Sequence, residues 1–181
     1  MSRVLVPLAN GFEEIEAVTI IDILRRADIE VVIAALFELN VIGAHGVNIQ
    51  AETYLNSVNS SEFDMIVLPG GMPGAEHLVK SEKLKEIIQE MDINNKTIAA
   101  ICAAPWVLGN ADVLKNSYTC FPSFEKIINK SGYNPDVNVV SDQNIITSRG
   151  PATAMTFALT LVEKLKGTEA SNVVKKELLF K

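Results

Sequence analysis

The stretch Lys96-Thr-Ile-Ala-Ala-Ile-Cys102-Ala-Ala-Pro105 decides the fold. A wholly apolar run stops on a cysteine, and two alanines and a proline follow. This reads as a buried parallel strand over Thr97–Ile101 that turns sharply into a helix, with the thiol at the apex. A sharp strand–turn–helix crowds the neighbours of its central residue, and Ala100, Ala103 and Ala104 supply the small side chains it needs. Backbone amides at the start of the helix would stabilise a thiolate over a thiol, because they point toward the sulfur as donors. Taken alone, the segment leaves two readings open, a reactive cysteine and an inert core cysteine.

Outward from this point, short apolar runs alternate with helical patterns. Arg3–Leu8, Glu30–Leu36 and Asp64–Leu68 are further strands, and Asn40–Gln50 is an irregular or hairpin segment. The spacing of Ile15, Val18, Ile21, Ile23 and Leu24 predicts a helix over Glu13–Ala27. Shorter helices are predicted over Gly74–Val79, over Ser81–Met91 with Ser81 as N-cap, and over Phe124–Lys130 with Ser123 as cap. Ser117–Cys120 reads as a short strand, and Val137–Val140 with Asn144–Thr147 as a hairpin. Pro151 opens a helix that Gly167 ends, and Glu169–Lys176 forms a terminal one. Strands separated by helices of this length give a mostly parallel sheet with helices on both faces. In such folds ligands bind beyond the carboxyl ends of the strands. Three segments reach that edge: Ala9–Glu16, Pro69–Gly71 and Ile101–Cys102.

The 181 residues suit one domain spanning 1–181, with no repeat, linker or low-complexity stretch. A net charge of −6 with no basic cluster argues against nucleic acid as the main partner. No apolar run reaches a membrane-spanning length, and the N-terminus reads as a first strand rather than a secretion signal. Two cysteines without such a signal fit a reducing cytoplasm. His45 and His77 form no ligand pattern with Cys102 and Cys120, so no metal is expected.

Two further segments bear on chemistry. Phe12-Glu-Glu-Ile-Glu16 places three acids in the first turn of a helix, where they suit its dipole. Glu16 is the one whose spacing turns it inward, and a carboxyl in a dry site keeps its proton near neutral pH. Pro69-Gly70-Gly71-Met-Pro-Gly74 leaves a strand in a glycine-rich turn. Either it is a plain turn, or its amides face an anion. Facing Cys102, they and the Ala103 amide would make an oxyanion hole.

Leu68-Pro-Gly-Gly71, Ala99-Ala-Ile-Cys-Ala-Ala-Pro105, Glu13-Glu-Ile-Glu16 and Thr147-Ser-Arg-Gly-Pro151 together resemble the ThiJ/PfpI superfamily. The resemblance is to the branch of the Parkinson-linked protein DJ-one and its bacterial ThiJ/YajL relatives, and runs from residue 3 to about residue 175. It implies a flavodoxin-like three-layer sandwich with a nucleophile elbow, and a homodimer. It implies Cys102 as nucleophile, a protonated Glu16 as its partner, and Gly70, Gly71 and Ala103 as anion-stabilising backbone. It further implies that Arg26 approaches the pocket of the dimer partner; read from its own helix, Arg26 is a solvated end residue paired with Asp22. His45 aligns with a pocket position often held by arginine, and is otherwise a loop histidine. Pro151 is a further pocket position. Phe121 stands where many members carry a histidine, which removes the general base of a Cys–His–acid hydrolase.

The function implied is a stress-response enzyme acting on reactive dicarbonyls or their adducts, of glyoxalase or deglycase type. Its substrate would be a small aldehyde, with no cofactor. The alternative, from a different class, is an oxidative-stress sensor or chaperone that works through oxidation of Cys102. Peptidase or amidase action ranks below both.

Overall fold

The computed structural model describes residues 2–180. Its strands are β1 (Arg3–Leu8), β2 (Glu30–Ala35), β3 (Asn40–Ile42), β4 (Asn48–Gln50), β5 (Thr53–Tyr54), β6 (Met65–Leu68), β7 (Thr97–Ile101), β8 (Val139–Asp142) and β9 (Ile145–Ser148). The helices are α1 (Glu14–Arg26), α2 (Gly74–Val79), α3 (Glu82–Ile93), α4 (Pro105–Asn110), α5 (Phe124–Ile128), α6 (Ala154–Lys166) and α7 (Thr168–Glu177).

Seven strands form one sheet in the order β5-β2-β1-β6-β7-β9-β8, and only the β8–β9 pairing is antiparallel. The central strands are apolar along their whole length because both faces are covered. Alternation divides each of them between two cores. Val4, Val6, Val67, Ala99 and Ile101 face the layer that contains α1, α6 and α7. Leu5, Ile66, Leu68, Ile98 and Ala100 face the layer that contains α3 and α4. This is the flavodoxin-like sandwich, with the small β3–β4 hairpin set apart from the main sheet.

Three local expectations change. Ser117–Cys120 is not a strand: it retains a single bridge, Tyr118 to Tyr133. Side chains take the flanking amides instead, with Ser117 N donating to Asp142 Oδ2 at 2.8 Å and Thr119 N to Thr147 Oγ1 at 2.9 Å. Ser123 does not cap α5 with its side chain; it sits in left-handed backbone at φ 85°. Pro151 opens a 3-10 turn over Pro151–Thr153, and the α-helix begins after it.

The chain runs from β1 to β2 on one side and later returns to place β6 on the other side of β1. That reversal is the switch point where open α/β sheets leave a crevice. The carboxyl ends of β1, β6 and β7 meet along this edge. Among the described residues, no helix is long and apolar enough to cross a membrane.

Candidate active site

Cys102 ends β7 in left-handed backbone, at φ 65°. A side chain there costs about 1–3 kcal/mol and persists only where its surroundings hold it. Cys102 N donates to Ser148 O at 3.0 Å, and Phe121 N donates to Cys102 O at 2.8 Å. Both partners lie outside the elbow, so the turn is clamped from β9 and from the segment before α5. Ala103 and Ala104 behind it are buried, as the tight turn requires.

Gly70, just past β6, has no side chain for a geometric reason. A Cβ there would stand 2.6 Å from the Cys102 Cβ, 2.9 Å from Glu16 Oε2 and 3.0 Å from Ala103 N. Thiol, carboxyl and elbow amide therefore converge on one glycine. Glu16, in the first turn of α1, is fully buried. Its Oε2 accepts from Gly70 N at 2.8 Å, while its Oε1 is buried with no hydrogen-bond partner among the described residues. Gly71, at φ 92°, packs against Gly11 and Glu13, which aims its own amide at the sulfur. The expected oxyanion donors thus divide: Gly71 and Ala103 face Cys102, whereas the Gly70 amide is taken by Glu16. Gly70 supplies space and orientation, not a donor to the thiol.

Burial pushes the Glu16 carboxyl up from the ordinary 4.5 to about 7, against the Gly70 amide and the contact with Cys102; the charge of Glu13 adds to the rise. The Cys102 thiol is pushed up as well, first by burial, then by the negative charge of Glu16 and the contact with its carboxyl. The amides of Ala103 and Gly71 oppose this. The simple expectation of a thiolate made by helix amides alone therefore fails here. α4 is only six residues long, and burial outweighs the donors while Glu16 is charged. Every contribution of Glu16 reverses once it holds the proton: the repulsion vanishes, and an Oε1–H becomes a donor.

The remaining expected residues scatter. His45 sits at the tip of the β3–β4 hairpin, mostly exposed, with Nδ1 2.9 Å from Glu14 Oε2 and its amide 2.5 Å from Glu14 Oε1. That bond and the charge of Glu14 raise the His45 pKa. Burial pushes Glu14 up, but its hydrogen bonds with the His45 ring and the hairpin amides hold it below the usual range. Glu13, Glu14 and His45 bring donor atoms within 4.8 Å of one another. The Glu14 carboxylate is already engaged by the hairpin, so the trio reads as a clamp of the hairpin onto α1. Arg26 lies ten residues beyond Glu16 on α1, exposed, with Nε 2.7 Å from Asp22 Oδ2. It is not part of its own chain's pocket.

Phe121 and Pro151 do meet. They line a cavity of about 310 Å³ together with Pro122, Asn138, Arg149 and Thr153. Arg149 escaped the sequence reading, although it lies in the Ser-Arg-Gly-Pro run that leaves β9 at the ligand edge. Cys120 is fully buried in the opposite core from Cys102. Trp106 packs at a tilt on Phe124, with centroids 6.2 Å apart.

The family model described as the DJ-1/PfpI family matches residues 2–164. The chain belongs to the DJ-1/PfpI family. It is 41% identical over 178 residues to protein dj-1beta of Drosophila melanogaster, covering 97% of this chain and 95% of that one. The crystal structure of Drosophila DJ-1beta superposes with a TM-score of 0.95 over the whole of both chains. Protein DJ-1 homolog B of Arabidopsis thaliana is 37% identical over 182 residues, 99% of this chain and 42% of that protein. The chain thus spans less than half the length of that plant relative. A family member from Caenorhabditis elegans, 35% identical over 167 residues, carries the name glutathione-independent glyoxalase DJR-1.2; the match covers 92% of this chain and 89% of that one.

Proposed function

We propose that this chain is a cofactor-independent glyoxalase of the DJ-1 type, acting in stress response on 2-oxoaldehydes such as methylglyoxal or on their adducts. The observation that carries the reading is the buried, unpartnered Oε1 of Glu16 beside the Cys102 thiol. A carboxyl that titrates near neutrality can give and take a proton during turnover.

Cys102 and Glu16 share one proton, and the reactive form keeps it on Glu16. The thiolate attacks the aldehyde carbon, forming a C–S bond, and Glu16 protonates the resulting oxyanion. The amides of Gly71 and Ala103 stabilise the charge as it develops. Glu16, now a carboxylate, removes the proton from the former aldehyde carbon. The carbon skeleton passes through an enediol, and the proton returns to the neighbouring carbon. The aldehyde carbon is thereby oxidised to a thioester while the ketone is reduced to an alcohol, so no external oxidant is required. Water then cleaves the C–S bond, releasing the hydroxy acid and restoring the thiol. On a glycated amine, thiolate attack at the hemiaminal carbon breaks the C–N bond, Glu16 protonates the departing amine, and the same later steps release the hydroxy acid.

Production of lactate from methylglyoxal, without glutathione, tests the reading. Activity lost in Cys102→Ser with an unchanged fold supports it, and retained activity contradicts it. The same two amides facing the sulfur support a second reading, oxidation of Cys102 to a sulfinate that Glu16 and these donors hold. In that case low peroxide adds about 32 Da, the mass of two oxygens, at Cys102 alone.

A further inference from the structure

Two buried carboxylates in the first turn of α1 are turned to opposite sides of the helix. Glu16 follows Glu14 by two residues, about 200° around the axis. Glu16 takes the Gly70 amide at 2.8 Å, on the side of the elbow. Glu14 takes the β3–β4 hairpin: its Oε1 accepts from His45 N at 2.5 Å and from Val47 N at 3.4 Å, and its Oε2 lies 2.9 Å from His45 Nδ1. Among the described residues, these are all the hydrogen bonds that join α1 to the hairpin.

The fit of Glu14 is close, since a Cβ on Gly43 would stand 2.3 Å from its Oε1. A carboxylate that accepts N–H donors is a stronger tie than a neutral acceptor. Glu14 stays charged because these donors outweigh its burial. The loop ahead of the helix is held from the same two sides. Gly11 N donates to Ile42 O and Ala44 N to Phe12 O on the hairpin side, while Glu13 N donates to Gly70 O on the other. The first turn of a helix lacks internal partners for its amides, so its flanks fix its position. The dry place of the Glu16 carboxyl therefore depends on contacts made by the turn that carries it.

We infer that Glu14 is a positioning residue for the Cys102–Glu16 pair: by tying the first turn of α1 to the β3–β4 hairpin, it holds the Glu16 carboxyl buried beside the thiol. The inference rests on the role given to Glu16 above and extends the working part of the site to the hairpin. Glu14 touches no reacting atom, and His45 enters only as a donor to it.

The test follows the Glu16 carboxyl by carbon-13 NMR against pH, with its signal identified by loss in Glu16→Gln. The titratable groups bearing on it are Cys102 and Glu13, which face Glu16, and His45, which faces Glu13 and Glu14. Wild type should titrate at about 7. In Glu14→Ala the freed turn admits water, and burial is the main cause of the raised value, so the midpoint should fall by at least about one unit. Losing the Glu14 charge also acts in that direction, and two variants separate charge from position. Glu14→Gln loses the charge but keeps an acceptor, and should stay within about 0.3 unit of wild type. Gly43→Ala keeps the charge, in backbone that is not left-handed, but drives a Cβ into Oε1 and should fall as Glu14→Ala does. Adding Gly43→Ala to Glu14→Ala should change nothing further, because the contact it breaks is already gone. With methylglyoxal, Glu14→Ala should lose about ten- to a hundredfold in kcat, with KM within about twofold. A midpoint that stays put in Gly43→Ala or in folded Glu14→Ala overturns the inference, as does an equal fall in Glu14→Gln. Should Glu14→Ala not fold, Gly43→Ala against Glu14→Gln decides. The titration requires no turnover, so its outcome is independent of whether the chain is a glyoxalase.

Discussion

Cys102 and Cys120 are the two cysteines of this chain, both buried, and burial pushes both thiols up. Cys120 rises to about 12 by burial and the charge of Glu125, and it lies wholly inside the core on the far side of the sheet. Cys102 instead ends a central strand in strained backbone, 9% exposed, against two amides from different segments and a carboxyl that itself titrates near 7. The difference teaches that desolvation does not distinguish a reactive cysteine from an inert one. The distinguishing feature is the fully buried Glu16 carboxyl set against the Cys102 thiol and raised to about 7.

The largest effect should come from breaking this asymmetry directly. Cys102→Ser is expected to lower methylglyoxal turnover at least about a thousandfold, and Cys120→Ser to leave it within about twofold, measured as lactate formed. Equal losses in the two variants would remove the comparison altogether.

Glu16→Gln sharpens it. Turnover should fall about a hundred- to ten-thousandfold, the usual worth of a positioned acid–base group. Stability should move the other way. Because the folded-state pKa of Glu16 is raised from 4.5 to about 7, the folded chain holds a proton that the unfolded chain has lost in that window. Wild-type stability from this group is complete below pH 4.5 and declines as pH rises to 7, by about 2–3 kcal/mol. Denaturant titrations at pH 5 and pH 8 should show this decline in wild type and its absence in Glu16→Gln.

The smaller effects concern the glycines that set the spacing. Gly70→Ala drives a Cβ to 2.6 Å from the Cys102 Cβ and 3.0 Å from the Ala103 backbone, and is expected to cost about 1–3 kcal/mol together with most of the activity. Gly150→Ala meets only the Phe121 ring, at 3.3 Å, in extended backbone, and should cost less than about 1 kcal/mol. Thermal unfolding of the two variants compares the packed centre of the site with the wall of the cavity that Phe121 lines.

Much of this was legible before any coordinates. The doubly covered strands read as apolar runs, and the elbow, Glu16 and the glycine turn each lie within a few residues of a strand end. What sequence could not assign was which amide serves which atom. Gly70 and Gly71 are adjacent, yet one donates to Glu16 and the other faces Cys102, because Gly71 turns the backbone at φ 92° between them. The sign of the thiol's shift was also hidden. Helix amides are visible in a motif, whereas the burial and charge that oppose them come from α1 packing onto the sheet. The strand over Ser117–Cys120 failed because the Asp142 and Thr147 side chains take the Ser117 and Thr119 amides, which leaves only the Tyr118 bridge.

The central claim is that Cys102 and Glu16 share one proton and that the reactive form keeps it on Glu16. The most direct measurement is the rate of Cys102 alkylation by iodoacetamide against pH, in wild type and Glu16→Gln, with Cys102→Ser as the blank. The account predicts a midpoint well below the ordinary thiol value of about 8.5, shifted in Glu16→Gln and absent in Cys102→Ser. A midpoint at or above 8.5 that does not respond to Glu16 would contradict it and leave Cys102 as a structural cysteine like Cys120.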